Sequence, residues 1–154
     1  MNDYFIRLFR YNDWANKIIG NYLLEHAITD HDCVKLLSHI LLAQVNWYKR
    51  TIGRQDDVPV WSIQNINPEM VIELESNGKL WADYIRSLNV DDFGKLLSYK
   101  NMAGVSCQTT IQDTLCHMVN HGTYHRGQII RRIRELDLAP PSTDYILFAR
   151  FFPA

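Results

Sequence analysis

At 154 residues the chain has the length of one ordinary domain and can bury a core without disulfides, so a single domain over residues 1–154 is expected. With 47% hydrophobic and 21% charged residues and a formal net charge of -1, the composition excludes disorder and offers no basic surface for nucleic acid. Charges are spread through the first ten residues and no uncharged apolar run approaches the roughly 20 residues of a membrane span, so a cytoplasmic protein without a membrane partner is expected.

The first helix is predicted from about Asp3 to His26, where Phe5, Leu8, Phe9, Trp14, Ile18, Ile19, Tyr22 and Leu23 recur at intervals of three to four. A second begins near Asp32 and stops at Gly53. A polar loop with Pro59 and Trp61 follows, and Pro68 then opens a third helix that runs to about Leu88 despite Gly78. From Leu96 to Thr109 two short stretches flank Asn101 to Gly104 and read as a hairpin or an irregular excursion. Thr110, with Asp113 three residues on, opens a fourth helix that reaches about Leu138, and Pro140 and Pro141 end it. Ser142, Thr143 and Asp144 precede a short C-terminal helix. The expected fold class is all-α. Cys33, Cys107 and Cys116 form an odd set without CxxC spacing, which fits reduced packing residues better than disulfides or a thiolate zinc site.

Helix four carries His117, His121 and His125 at spacings of four. At about 100° per residue such positions drift by roughly 40° at each step, so the three cannot share one direction. His125 borders the apolar stripe formed by Leu115, Met118, Gly122, Ile129 and Ile133; His121 lies about 40° outside it and His117 about 80° outside. The interior pair is therefore His121 with His125, and His117 is an outer residue, a surface residue or a reserve ligand. Two imidazoles at i and i+4 can serve one ion, although boundary histidines without metal explain a bare HxxxH equally well. His39, in helix two, is surrounded by apolar neighbours, where an unpartnered imidazole costs on the order of 1–3 kcal/mol. A metal shared with helix four would partner it, and so would a backbone carbonyl. Gly122 occupies the place where a zinc protease of the HExxH type carries its glutamate, which disfavours peptidase chemistry.

Tyr11-Asn-Asp-Trp14-Ala-Asn16, His39 followed by Trp47, the run His117 to Gln128, and Pro140-Pro-Ser-Thr-Asp144 together resemble the DinB family of four-helix metal-binding proteins, grouped with the YfiT-like metal-dependent hydrolases. The DNA polymerase that shares the name is unrelated. The resemblance implies a four-helix bundle, frequently a homodimer, with one divalent metal ion held by His39, His121 and His125. Three ligands leave a position open for water or substrate, and imidazole suits zinc or nickel. Relatives in this superfamily include enzymes that use low-molecular-weight thiols such as bacillithiol or mycothiol, so the resemblance makes metal-dependent thiol transfer to a small molecule the leading expectation. Hydrolysis through activated water, and a metal-binding stress protein without turnover, are the alternatives. Asn12, Trp14, Asn46 and Trp47 are pocket candidates whose competing role is packing. Arg126, at the edge of the apolar face, is expected to pair with Asp144 or Asp13 and to tie the C-terminal segment to the bundle.

Overall fold

The computed structural model describes residues 1–153. Four long helices are formed: α1 (Asn2–Glu25), α2 (His31–Thr51), α3 (Pro68–Ser87) and α4 (Ile111–Glu135). A 3-10 turn (Val90–Gly94) and an antiparallel hairpin of β1 (Leu96–Lys100) and β2 (Ser106–Thr110) lead into α4, and α5 (Tyr145–Phe151) closes the chain. No helix among the described residues is long and apolar enough to cross a membrane.

The helix ends have local causes. The Asp30 carboxylate accepts the amides of Asp32 and Cys33 at 3.2 Å, which satisfies two otherwise orphaned donors of α2. Asn67 accepts the Met70 amide ahead of Pro68, and Thr110 accepts the Asp113 amide while its hydroxyl donates to the Asp113 carboxylate. At the far end, α4 stops three residues earlier than the apolar pattern suggests. Asp137 adopts φ 58°, and the Leu138 amide turns back to the Ile133 carbonyl, so Leu138 packs on the core from outside the helix.

In the bundle α1 lies along α3 and α2 along α4. The apolar core falls into two clusters, one around Phe5, Phe9, Trp81 and Phe93, the other around Ile19, Leu37, Leu74 and Ile129. Midway along all four helices, between these clusters in chain position, sits a buried polar layer. The Gln44 side-chain oxygen accepts from Asn12 at 3.0 Å and Asn16 at 2.9 Å, and its amide donates to Asn77 at 3.0 Å.

Arg126 completes this layer and corrects the sequence expectation. It is 1% exposed, and its partners are neutral. One guanidinium nitrogen donates to the side-chain oxygens of Asn12 and Asn16 at 2.7 Å each, the other to Thr123 at 3.0 Å, and the Tyr11 ring lies 5.3 Å from the guanidinium carbon. Neither Asp144 nor Asp13 pairs with it. Asp144 is exposed at the start of α5, and the Asp13 carboxyl faces Gly78 on α3, where burial pushes its pKa up to about 6. A weakly hydrated guanidinium tolerates amide oxygens and an aromatic face in place of a carboxylate. The C-terminal segment is tied down instead by the Tyr11 hydroxyl, which donates to the Thr143 carbonyl at 3.0 Å.

Candidate metal centre

The packing of α2 along α4 brings His39 against His121 and His125, one turn apart on the facing helix. Each of the three offers a ligand atom within 4.8 Å of the others. His39 and His125 are buried, and His121 lies at the edge of the solvent-accessible side.

Hydrogen bonds fix the tautomers. The Nδ1–H of His39 donates to the Val60 carbonyl at 2.9 Å, and because a carbonyl can only accept, the lone pair of this imidazole must lie on Nε2. His125 is arranged the same way, its Nδ1 lying 3.0 Å from the Gln128 side-chain oxygen. The bare Nε2 of His39 then points at the Nε2 of His121, 3.0 Å away. Two ring nitrogens so placed share either a proton or a cation. Ligand nitrogens about 2.0–2.1 Å from one ion lie about 3.3 Å apart in a tetrahedron and about 2.9 Å apart across an octahedral edge, so the separation of this pair is near the octahedral value and a little short of the tetrahedral one. His121 Nδ1 is buried without a hydrogen-bond partner, whichever group its Nε2 faces. The donor set fits a divalent transition metal.

Outer contacts hold the imidazoles in place. The Trp61 ring stacks flat on His39, with centroids 3.7 Å apart and planes 6° from parallel, and stands edge-on to His125 at 6.2 Å. His117 lies outside the group, its ring between Trp47 at 5.3 Å and His121 at 5.4 Å. Asn46 and Trp47 line a cavity of about 240 Å³ that His39 and His121 also border. Asn12 and Trp14 do not reach it. Asn12 belongs to the buried polar layer, and Trp14 turns the other way, toward Tyr11 and Phe148, because α1 packs mainly on α3. Val60, Trp61 and Gln128 went unread in the sequence. Gln128 had a signal, since a residue three past a helical ligand shares its face; Val60 acts through its backbone and had none.

Gln128→Leu is expected to weaken metal binding about 10- to 100-fold by freeing the His125 ring while the fold persists, which a chelator competition titration would measure. Unchanged affinity would remove Gln128 from the centre.

Burial makes His39, His117 and His121 hard to protonate. It pushes His121 down to about 3, helped by His125, His39 and His117 nearby. Burial also lowers His39, against the opposing pull of the Val60 carbonyl, and lowers His117. Each of these groups binds its proton less readily folded than unfolded, so the stability they contribute is complete above about pH 6.5 and is lost as the pH falls toward 3. Asp13, with its raised pKa, works the other way between about 6 and 4, but it is one group against three. Metal-free protein should therefore lose stability on acidification from pH 7 to 4.5 in denaturant titrations. A flat profile would contradict this account.

The DinB family model matches residues 1–151. The chain is also similar to Protein DinB of Bacillus subtilis (strain 168), with 31% identity over 163 residues that cover 96% of this chain and 95% of that protein. A helical bundle with a three-histidine cluster, matched by this family over nearly its whole length, belongs to the DinB family.

Proposed function

We propose that His39, His121 and His125 hold one divalent transition metal ion, zinc or nickel, and that the protein uses it to transfer a low-molecular-weight thiol to a small electrophile. The observation that carries this reading is the meeting of three imidazoles from two helices, with the Val60 carbonyl and the Gln128 side-chain oxygen accepting hydrogen bonds from the Nδ1–H groups of His39 and His125. A divalent ion held by neutral imidazoles keeps open positions and lowers the pKa of a thiol or water bound to it, supplying a nucleophile near neutral pH.

The chain's own residues do the rest. Val60 and Gln128 fix the direction of two ligand lone pairs, so little reorganises when a ligand arrives. Trp61 covers one face of His39 and keeps water from it, while the cavity beside His39 and His121 receives the organic reactant. In the transfer the thiol gives up its proton to solvent, a bond forms between its sulfur and a carbon of the electrophile, and the bond from that carbon to the leaving group breaks, the leaving group departing with the electron pair.

The test is metal analysis of protein purified without a nickel column, joined to a screen of thiols and alkylating electrophiles on wild type and His125→Ala. Wild type should carry stoichiometric metal and consume thiol in a metal-dependent way, and the variant should do neither. Full occupancy in His125→Ala would overturn the ligand set. A loaded but inert wild type would overturn transfer and leave a metal-binding protein without turnover.

A further inference from the structure

The cavity beside the histidines is bounded by α2, the loop that carries Val60, and the hairpin. Its volume is about 240 Å³, below the roughly 300–1,000 Å³ of sites for drug-sized ligands and above the about 150 Å³ that suffices for benzene. A single substituted ring or a short branched chain fits.

What the walls can recognise follows from which polar groups are already engaged. The Asn46 amide is used in both directions by Val58, donating to its carbonyl at 2.7 Å and accepting from its N–H at 2.9 Å. The Asn101 side-chain oxygen is taken by the amides of Ala103 and Val105. Arg50 is the one charge on the wall, and it is neutralised: two of its nitrogens donate to a single carboxylate oxygen of Asp57. Its guanidinium carbon also lies 4.8 Å from the Trp47 ring and 4.9 Å from the Tyr99 ring, beside the pair that these two rings form. A ligand anion would have to displace Asp57 or sit beside it. The apolar surfaces are Ala43, Val60, Met102 and the rings of Trp47 and Tyr99, and the polar groups these wall residues leave unengaged, the Asn101 side-chain NH2, the Trp47 indole N–H and the Tyr99 hydroxyl, are uncharged.

We infer that this cavity binds an uncharged, apolar group, a single aromatic ring or its equivalent, as the body of the small molecule processed at the histidines, with the hairpin residues Tyr99 and Met102 setting its specificity. The inference takes from the proposed function only that chemistry occurs at the histidines. Binding of the apolar group itself does not require the metal. The hairpin thereby gains a role, since it stands over the C-terminal half of α2 and presents Tyr99 to Trp47, with ring centroids 4.9 Å apart.

Fluorine NMR with fluorobenzene and 4-fluorobenzenesulfonate, on zinc-loaded and on metal-depleted protein, tests this. Fluorobenzene should bind both forms, and the sulfonate at least about tenfold more weakly, because burying its charge beside Asp57 is costly. Ala43→Phe, which fills the cavity, should abolish fluorobenzene binding. Tyr99→Ala, on the hairpin outside the bundle core, should weaken it at least about fivefold without unfolding the protein. Sulfonate binding as tight as fluorobenzene would show that Arg50 reads an anion and would overturn the inference, as would fluorobenzene binding unaffected by both variants. Thiol transfer with no fluorobenzene binding would overturn this inference alone. Fluorobenzene binding in a protein that holds no metal would overturn the proposed function alone.

Discussion

His39→Ala is expected to lower bound metal from stoichiometric to below about a tenth at micromolar protein, because it removes the only α2 ligand and leaves two imidazoles on one helix. An i, i+4 pair alone holds such an ion far more weakly than three converging ligands, whose cost of assembly is met when the bundle folds. The readout that separates ligation from structure is the metal dependence of stability. A ligand bound to the folded state alone stabilises it by RT ln(1 + [L]/Kd), about 2.7 kcal/mol at one hundred times Kd, so added zinc should raise the melting temperature of wild type and leave His39→Ala unmoved.

The metal-free variant should retain the bundle. His39 bonds only to a loop carbonyl and a neighbouring imidazole, and the core clusters do not include it. His117→Ala is the control. Its ring lies outside the ligand group, so its zinc affinity should stay within a few-fold of wild type. Retention of full metal by His39→Ala, or its loss from His117→Ala alone, would reassign the centre.

The parts of this architecture that the sequence made legible are those governed by local physics. The boundaries of α1, α2 and α3 followed from periodicity, Pro68 and Gly53, and Thr110 with Asp113 marked the start of α4. The turn drift that separated His117 from His121 and His125 is the geometry observed, because an α-helix is regular enough for angles to accumulate predictably. What the sequence left unread depends on contacts between distant segments. Trp61 looked like a loop aromatic, since nothing local records that its ring lies flat on a residue 22 positions earlier. Arg126 was assigned a carboxylate by charge complementarity, whereas the fold surrounds it with two asparagines from α1. An unpaired buried charge is the rarer solution, and only the whole layer of Asn12, Asn16, Gln44 and Asn77 makes it tenable.

That layer makes Gly122 the position where the smallest change should do the most damage. A Cβ there would sit 2.2 Å from the Asn12 side-chain oxygen and 2.7 Å from an Arg126 guanidinium nitrogen, both far inside contact distance. Neither neighbour can step aside cheaply. The Asn12 oxygen is held by Arg126 and its amide by Gln44, and the same guanidinium nitrogen is held by Asn16. Relief requires breaking a charge-assisted bond between buried groups, or pushing α4 away from α1, and either leaves a buried group unpaired. Gly122→Ala should therefore destabilise metal-free protein by about 3–5 kcal/mol, overriding the roughly 1 kcal/mol by which alanine favours a helix. Gly127 supplies the comparison on the same helix: it is exposed, and a Cβ there meets nothing within 4 Å, so Gly127→Ala should raise stability by about 0.5–1 kcal/mol. Urea titrations of the two variants beside wild type measure both effects. Equal or greater stability of Gly122→Ala would mean that the Asn12–Arg126 contact does not run beneath α4 at this glycine.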